Sequence, residues 1–128
     1  ISSKYQALLA DPKTDKETKD YIRARIAAAQ AADELLSIQG VDASFALFPD
    51  NGGVNISARS LGDFNVQLTM EALGGGGHLN MAGAFLSGVS LEEAQTRLKA
   101  AVDDQMQMMQ SALTGRGIGA EAEQTEIN

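Results

Sequence analysis

Residues 16–39 carry apolar positions at helical spacing, with Ile22, Ile26, Ala29 and Leu36 on one stripe, the mark of an amphipathic helix. Thr14 and Glu17 stand at capping-box spacing ahead of it. Pro12 closes a shorter helix over 1–10, and Gly40 supplies the stop at about Gln39. The many alanines on the long helix predict close packing against a flat surface, a sheet. The period then changes to two: Asp42 and Ser44 alternate with Ala43, Phe45 and Leu47, which predicts a strand over 41–48. Residues 49–53, Pro-Asp-Asn-Gly-Gly, form a turn signal before a second strand over 54–58, giving a hairpin.

Phe64, Val66, Leu68 and Met70 alternate as a strand would, while Val66, Met70 and Leu73 also fit a helix capped by Asp63. The Leu-Thr-Met-Glu-Ala-Leu composition decides for helix over 64–73. Four glycines and His78 follow, then a buried strand over 79–86. Ser90 with Glu93 opens a last helix whose stripe is Leu91, Ala94, Leu98, Val102, Met109 and Leu113. From Thr114 glycines and acidic residues predict a loose tail. The order helix, strand, strand, helix, strand, helix predicts an α/β fold: a small mixed or antiparallel sheet with a hairpin, flanked by helices.

A chain of 128 residues, 44% of them apolar, suits one domain. The absence of cysteine excludes disulfides and thiolate metal sites and fits a reducing cytosol. No apolar run approaches the ~18 residues that span a bilayer. Because the first residue is Ile1, the chain is expected to be a piece of a longer protein. A net charge of −7 opposes long nucleic acid held by bulk electrostatics, but leaves room for a small anion at a local site. Arg59 is the only Lys or Arg between Arg25 and Arg97.

The loudest feature is Gly74-Gly75-Gly76-Gly77-His78. Ordering four glycines costs about 2–4 kcal/mol against alanine. Gly74 is explained as a helix terminator. Gly75, Gly76 and Gly77 have two readings, a close-packed or flexible turn, or bare backbone against which a ligand lies. The order helix–glycines–strand is the reverse of a phosphate-binding strand–loop–helix, so P-loop and dinucleotide fingerprints do not apply. His78, the sole histidine, either finishes a turn or donates to a phosphate or stacks beside a base. Arg59, followed by Ser60, fits a phosphate bidentately or pairs with Asp63, Glu71 or another carboxylate. Met106, Met108 and Met109 read as core or interface filler, and Asp103-Asp104 as a solvated helix face. There is no nucleophile triad, since one histidine stands without a Gly-x-Ser-x-Gly context. No carboxylates stand near His78 at ligand spacing, so no metal site is expected in this chain.

The strings 56–62 (Ile-Ser-Ala-Arg-Ser-Leu-Gly), Asn65-Val66 and 70–78 (Met-Glu-Ala-Leu-Gly-Gly-Gly-Gly-His) resemble the DHH-associated domain of the DHH phosphoesterases, in its GdpP-type, cyclic-di-AMP phosphodiesterase branch. The likeness reaches back through Ala31-Ala32-Asp33-Glu34-Leu35-Leu36 and covers roughly 16–112. It implies a connector over 1–15, a nucleotide-binding domain over 16–112 and an acidic tail over 113–128. It also implies a division of labour, in which an upstream DHH domain of the same protein holds two manganese ions and this half grips the substrate. On that reading Gly75, Gly76, Gly77 and His78 line the cleft, with Arg59 and Ser60 facing it. The implied substrate is a cyclic dinucleotide or, alternatively, a short oligonucleotide. The implied setting is the cytoplasmic side of a membrane-anchored parent. A different reading makes the chain a non-catalytic binding or dimerisation module, a homodimer formed through the Met-rich last helix.

Overall fold

The computed structural model describes residues 3–50 and 52–117, with backbone alone for 114–117. Helix α1 (Ser3–Ala10) is followed by α2 (Lys16–Leu35), β1 (Ala43–Asp50), β2 (Gly53–Ser60), α3 (Val66–Ala72), β3 (Gly76–His78), β4 (Met81–Ser87) and α4 (Leu91–Gly117). The four strands form one antiparallel sheet in the order β1-β2-β4-β3. The expected fold class holds, in its antiparallel form.

The cap of helix α2 lies one residue later than predicted. Asp15, not Thr14, is the N-cap, and its carboxylate accepts the Thr18 N–H at 2.7 Å. That bond holds the Asp15 carboxyl below its ordinary pKa, because hydrogen bonding to Thr18 favours the charged form. The helix ends at Leu35, ahead of the predicted Gln39. Leu36, Ser37 and Ile38 donate to carbonyls three residues back, a tightened last turn that Gly40 ends at φ 89°. Ile22, Ala28 and Ala32 form its buried stripe, and the small alanines let α2 lie close on β1 and β2. Ser44 donates its hydroxyl to the Ala32 carbonyl at 2.6 Å, and the Tyr21 and Phe48 rings stand 6.5 Å apart.

The predicted turn at 49–53 is largely strand. Pro49 and Asp50 pair with Val54 and Gly53, and Pro49 is tolerated because β1 is an edge strand that needs no donor on its open side. Register then sorts the sheet into two faces. Phe45, Leu47, Ile56, Ala58, Ala82, Ala84 and Leu86 face α3 and α4, where they meet Phe64, Val66, Met70 and Leu98 in the main core. Met109 packs against this core, while Met106 and Met108 are exposed. Ser44, Arg59, Ser57 and Asn55 face α2.

Helix α3 is capped by Asn65, which accepts the Leu68 N–H, rather than by Asp63. Phe64 is thereby freed to be buried ahead of the first turn. The strand predicted over 79–86 begins at Met81, since Leu79 and Asn80 form the connection between the paired His78 and Met81. Ser90 caps α4 by accepting the Glu93 N–H at 3.1 Å, while the Glu93 carboxylate turns to Arg97 instead of closing the box. Helix α4 continues to Gly117, past the predicted start of the tail at Thr114; residues 118–128 lie outside the described residues.

Candidate functional site

Helix α2 packs on β1 and β2, while α3 lies on the opposite face over β3 and β4. Among the described residues, the α2 side of the β4–β3 half is therefore an open shelf, bordered by Tyr5 of α1 and Arg25 of α2. Side chains of β4 that point to it are left open: Met81 is 53% and Phe85 44% exposed. Two cross-strand rows run over this shelf. One comprises Ser44, Arg59, Met81 and His78; the next comprises Ala46, Ser57, Gly83 and Gly76. Sheet geometry sets His78 two strands, roughly 10 Å, from Arg59. Gly76 and Gly77, with His78, are thus an edge strand, and only Gly74 and Gly75 belong to the turn before it.

The four glycines have different reasons to be glycine. Gly74 ends α3 at φ 87°; its N–H donates to Glu71 and that of Gly75 to Met70, the Schellman pattern. A Cβ on Gly75 would lie 2.1 Å from the Gly83 carbonyl oxygen. One on Gly77, at φ 147°, would lie 2.4 Å from the Ala82 Cα. Close packing on β4 accounts for both. Gly76 differs: a Cβ there would meet nothing within 4 Å. The fold does not require a glycine at 76, so the bare backbone facing the shelf is concentrated there and at its partner Gly83.

Arg59 is 13% exposed, and its Nε donates to the Asp33 carboxylate of α2 at 2.9 Å. Its Nη1 donates to the Ala58 carbonyl at 2.9 Å. The ion-pair reading of Arg59 is therefore realised, with Asp33 as the carboxylate rather than Asp63 or Glu71. The remaining N–H groups of the fork have no hydrogen-bond partner among the described residues. Ser60 lies elsewhere. It is 3% exposed on the opposite face, donates to the Phe64 carbonyl at 2.7 Å and accepts from the Asn80 side chain at 3.0 Å. Its hydroxyl ties the approach to α3 to the β3–β4 connection and does not face the shelf.

Two adjoining recesses occupy the shelf and share Arg25 and Gly83. One, of ≈ 540 Å³, has Arg25, Asp33, Arg59 and Met81 in its wall, with Tyr5 of α1 at the rim. The other, of ≈ 320 Å³, is floored by Gly75, Gly76 and Gly83 and walled by Phe85. Arg25 donates to the Tyr21 hydroxyl at 3.1 Å. Burial works against its charge, but the bond to Tyr21 and the proximity of Tyr21 and Tyr5 outweigh that and raise its pKa. Two guanidiniums against one carboxylate give this recess a local positive excess in an acidic chain. A third concavity, beside Glu17, Asp20 and Asp50, has the wrong sign for a phosphate. A fourth, between Phe45, Leu61 and Met106, is lined mainly by apolar side chains with the carboxylates of Asp42 and Asp63 among them.

Among the described residues no group of three His, Cys, Asp or Glu side chains could hold a metal ion. The described residues therefore do not fit a dimetal centre, and no bond-breaking step is assigned to them. Gly83, Phe85, Arg25 and Asp33 are shelf residues that the sequence reading missed. A strand-interior glycine between Met81 and Phe85 is the signal that could have found the first two.

Residues 18–108 match the DHHA1 domain family. The chain is 50% identical over 99 residues to the cyclic-di-AMP phosphodiesterase GdpP of Bacillus subtilis (strain 168), covering 77% of this chain and 14% of that protein. It is 38% identical over 69 residues to the bifunctional oligoribonuclease and PAP phosphatase NrnA of Thermus thermophilus, covering 54% of this chain and 21% of the relative. Among solved structures, an exopolyphosphatase-related protein from Bacteroides fragilis superposes with a TM-score of 0.57 at 24% identity, over 86% of this chain and 37% of that one; this likeness concerns the fold. The chain spans about a seventh of the length of the Bacillus relative.

Proposed function

The chain belongs to the DHHA1 domain family, and from that premise we propose that it is the substrate-gripping half of a phosphodiesterase that opens cyclic-di-AMP to a linear dinucleotide. The observation that carries the reading is the bare Gly76–Gly83 strip beside His78 and Arg59 on an uncovered sheet face. The name of the Bacillus relative supports the choice of substrate. Backbone without side chains lets a flat ligand lie against the sheet. The free N–H groups of Arg59 and the imidazole of His78 supply donors to phosphate oxygens, and charge-assisted bonds of this kind are about twice as strong as neutral ones. This chain binds and orients. In the same reading, cleavage belongs to an upstream DHH domain carrying two manganese ions. The assembly then works in the cytoplasm, tethered to the membrane by segments outside this chain; no helix among the described residues is long and apolar enough to cross one.

The test is His78→Ala in the complete protein. Affinity for cyclic-di-AMP is expected to fall roughly tenfold, the worth of one hydrogen bond to a charged group. Unchanged affinity together with unchanged hydrolysis would remove the shelf from the mechanism. A second reading, a short oligonucleotide as substrate, is favoured by the Thermus relative. Competition between cyclic-di-AMP and its linear dinucleotide in the complete protein separates the two.

A further inference from the structure

We propose that Phe85 is the stacking platform for a nucleobase, so that the base enters the recess over Gly76 and Gly83 and the phosphate points toward Arg59 and His78. This rests on the reading of the shelf as a nucleotide site and adds which end of it takes which part of the ligand.

Phe85 stands on an inner strand of the sheet yet keeps 44% of its surface exposed. Its ring leans diagonally onto β2. A Cβ on Gly53 would lie 2.8 Å from the Phe85 Cζ and 2.2 Å from the Leu86 carbonyl oxygen. The absence of a side chain at Gly53 is what leaves the ring room to lean. Its neighbours along the same face of β4 are Gly83 and, across the ladder, Gly76. The outcome is an aromatic wall beside a floor with no side chains, and Arg25 reaches into the same recess from α2.

Aromatic rings and guanidinium planes on an exposed sheet are what unstacked bases rest on. At ≈ 320 Å³ the recess is at the small end of ligand pockets, about 300–1,000 Å³. That is room for one heteroaromatic base and not for a dinucleotide. The row holding Arg59, Met81 and His78 lies two residues along β4 from Gly83, roughly 7 Å at strand rise. This suits a base at one end and its own phosphate at the other. Stacking reads ring area more than base edges, so the recess should favour purines over pyrimidines.

Amide NMR of the 128-residue chain tests this with two probes, adenosine 5′-monophosphate and ribose 5-phosphate. In the unmodified chain the nucleotide should shift Gly76, Gly83 and Phe85 and bind roughly tenfold more tightly than the sugar phosphate. Phe85→Leu should erase that advantage and leave ribose 5-phosphate binding unchanged, whereas Phe85→Trp should keep it. If the advantage survives Phe85→Leu, or is lost in a folded Phe85→Trp, the base subsite is wrong. Shifts from both probes at His78 and Arg59 would then leave the wider reading standing. If neither probe moves any shelf amide, both readings fall.

Discussion

Gly76 lies directly opposite Gly83 across the β3–β4 ladder, so two facing positions of the sheet carry no side chain. Their surroundings differ. A Cβ on Gly83 would approach the Ile56 carbonyl oxygen at 2.9 Å, whereas one on Gly76 would project into open space. The same contrast holds within the glycine run, where Gly75 and Gly77 are pressed against β4.

Alanine substitutions along the run should therefore separate stability from binding. Gly75→Ala and Gly77→Ala should each destabilise by about 1–3 kcal/mol, the usual cost of overpacking. Gly76→Ala should be neutral, or stabilising by about 0.4–1 kcal/mol through reduced unfolded-state entropy. It should nonetheless weaken nucleotide binding, because a methyl group lifts the ligand off the strand. Urea melts and titration calorimetry on the three variants check this.

Asp33 competes with any phosphate for Arg59. The carboxylate side chain is 61% exposed, so Asp33→Asn should change stability by less than about 1 kcal/mol. Affinity for ribose 5-phosphate should rise, since the fork loses its anionic partner. Arg59→Lys should bind less well than the unmodified chain, because one ammonium cannot hold both Asp33 and a phosphate bidentately. Calorimetric titration of both variants checks the two directions.

Ser60→Ala should behave as a folding lesion. Removing the hydroxyl takes the Ser60 donor from the Phe64 carbonyl, at a cost of about 1–3 kcal/mol, whereas the exposed Asn80 amide keeps the Gly62 carbonyl. Affinity of the folded fraction for adenosine 5′-monophosphate should be unchanged. Thermal melts paired with calorimetry below the melting range distinguish this from a ligand contact.

Asp15 makes the start of α2 acid-sensitive. Its folded-state pKa is depressed by the Thr18 bonds. Its contribution to stability is therefore complete above the unfolded-state value and is lost as pH falls through the folded one. Asp15→Asn keeps a capping oxygen and should flatten that limb of the stability–pH curve, as measured by circular dichroism.

The changes of hydrophobic period along the chain make the order of elements legible, except for β3. Gly-Gly-His has no alternation to read, and only pairing with β4 makes it a strand. Caps slip by one or two residues where two capping types adjoin, Thr14 with Asp15 and Asp63 near Asn65. Arg59 is legible as the central cation, but its partner Asp33 lies 26 positions away, beyond local pattern. Ending the second strand at 58 sets Ser60 beside Arg59 on one site. Once β2 runs to Ser60, period two sends the neighbours to opposite faces. Which glycines answer to packing cannot be read without the position of β4.

The most direct measurement is a crystal structure of the complete protein with cyclic-di-AMP bound. The account predicts one base lying over Gly76 and Gly83, with its phosphate within hydrogen-bonding reach of Arg59 and His78. Dinucleotide seated on the α4 side of the sheet, with the β3–β4 shelf free of it, would contradict the account.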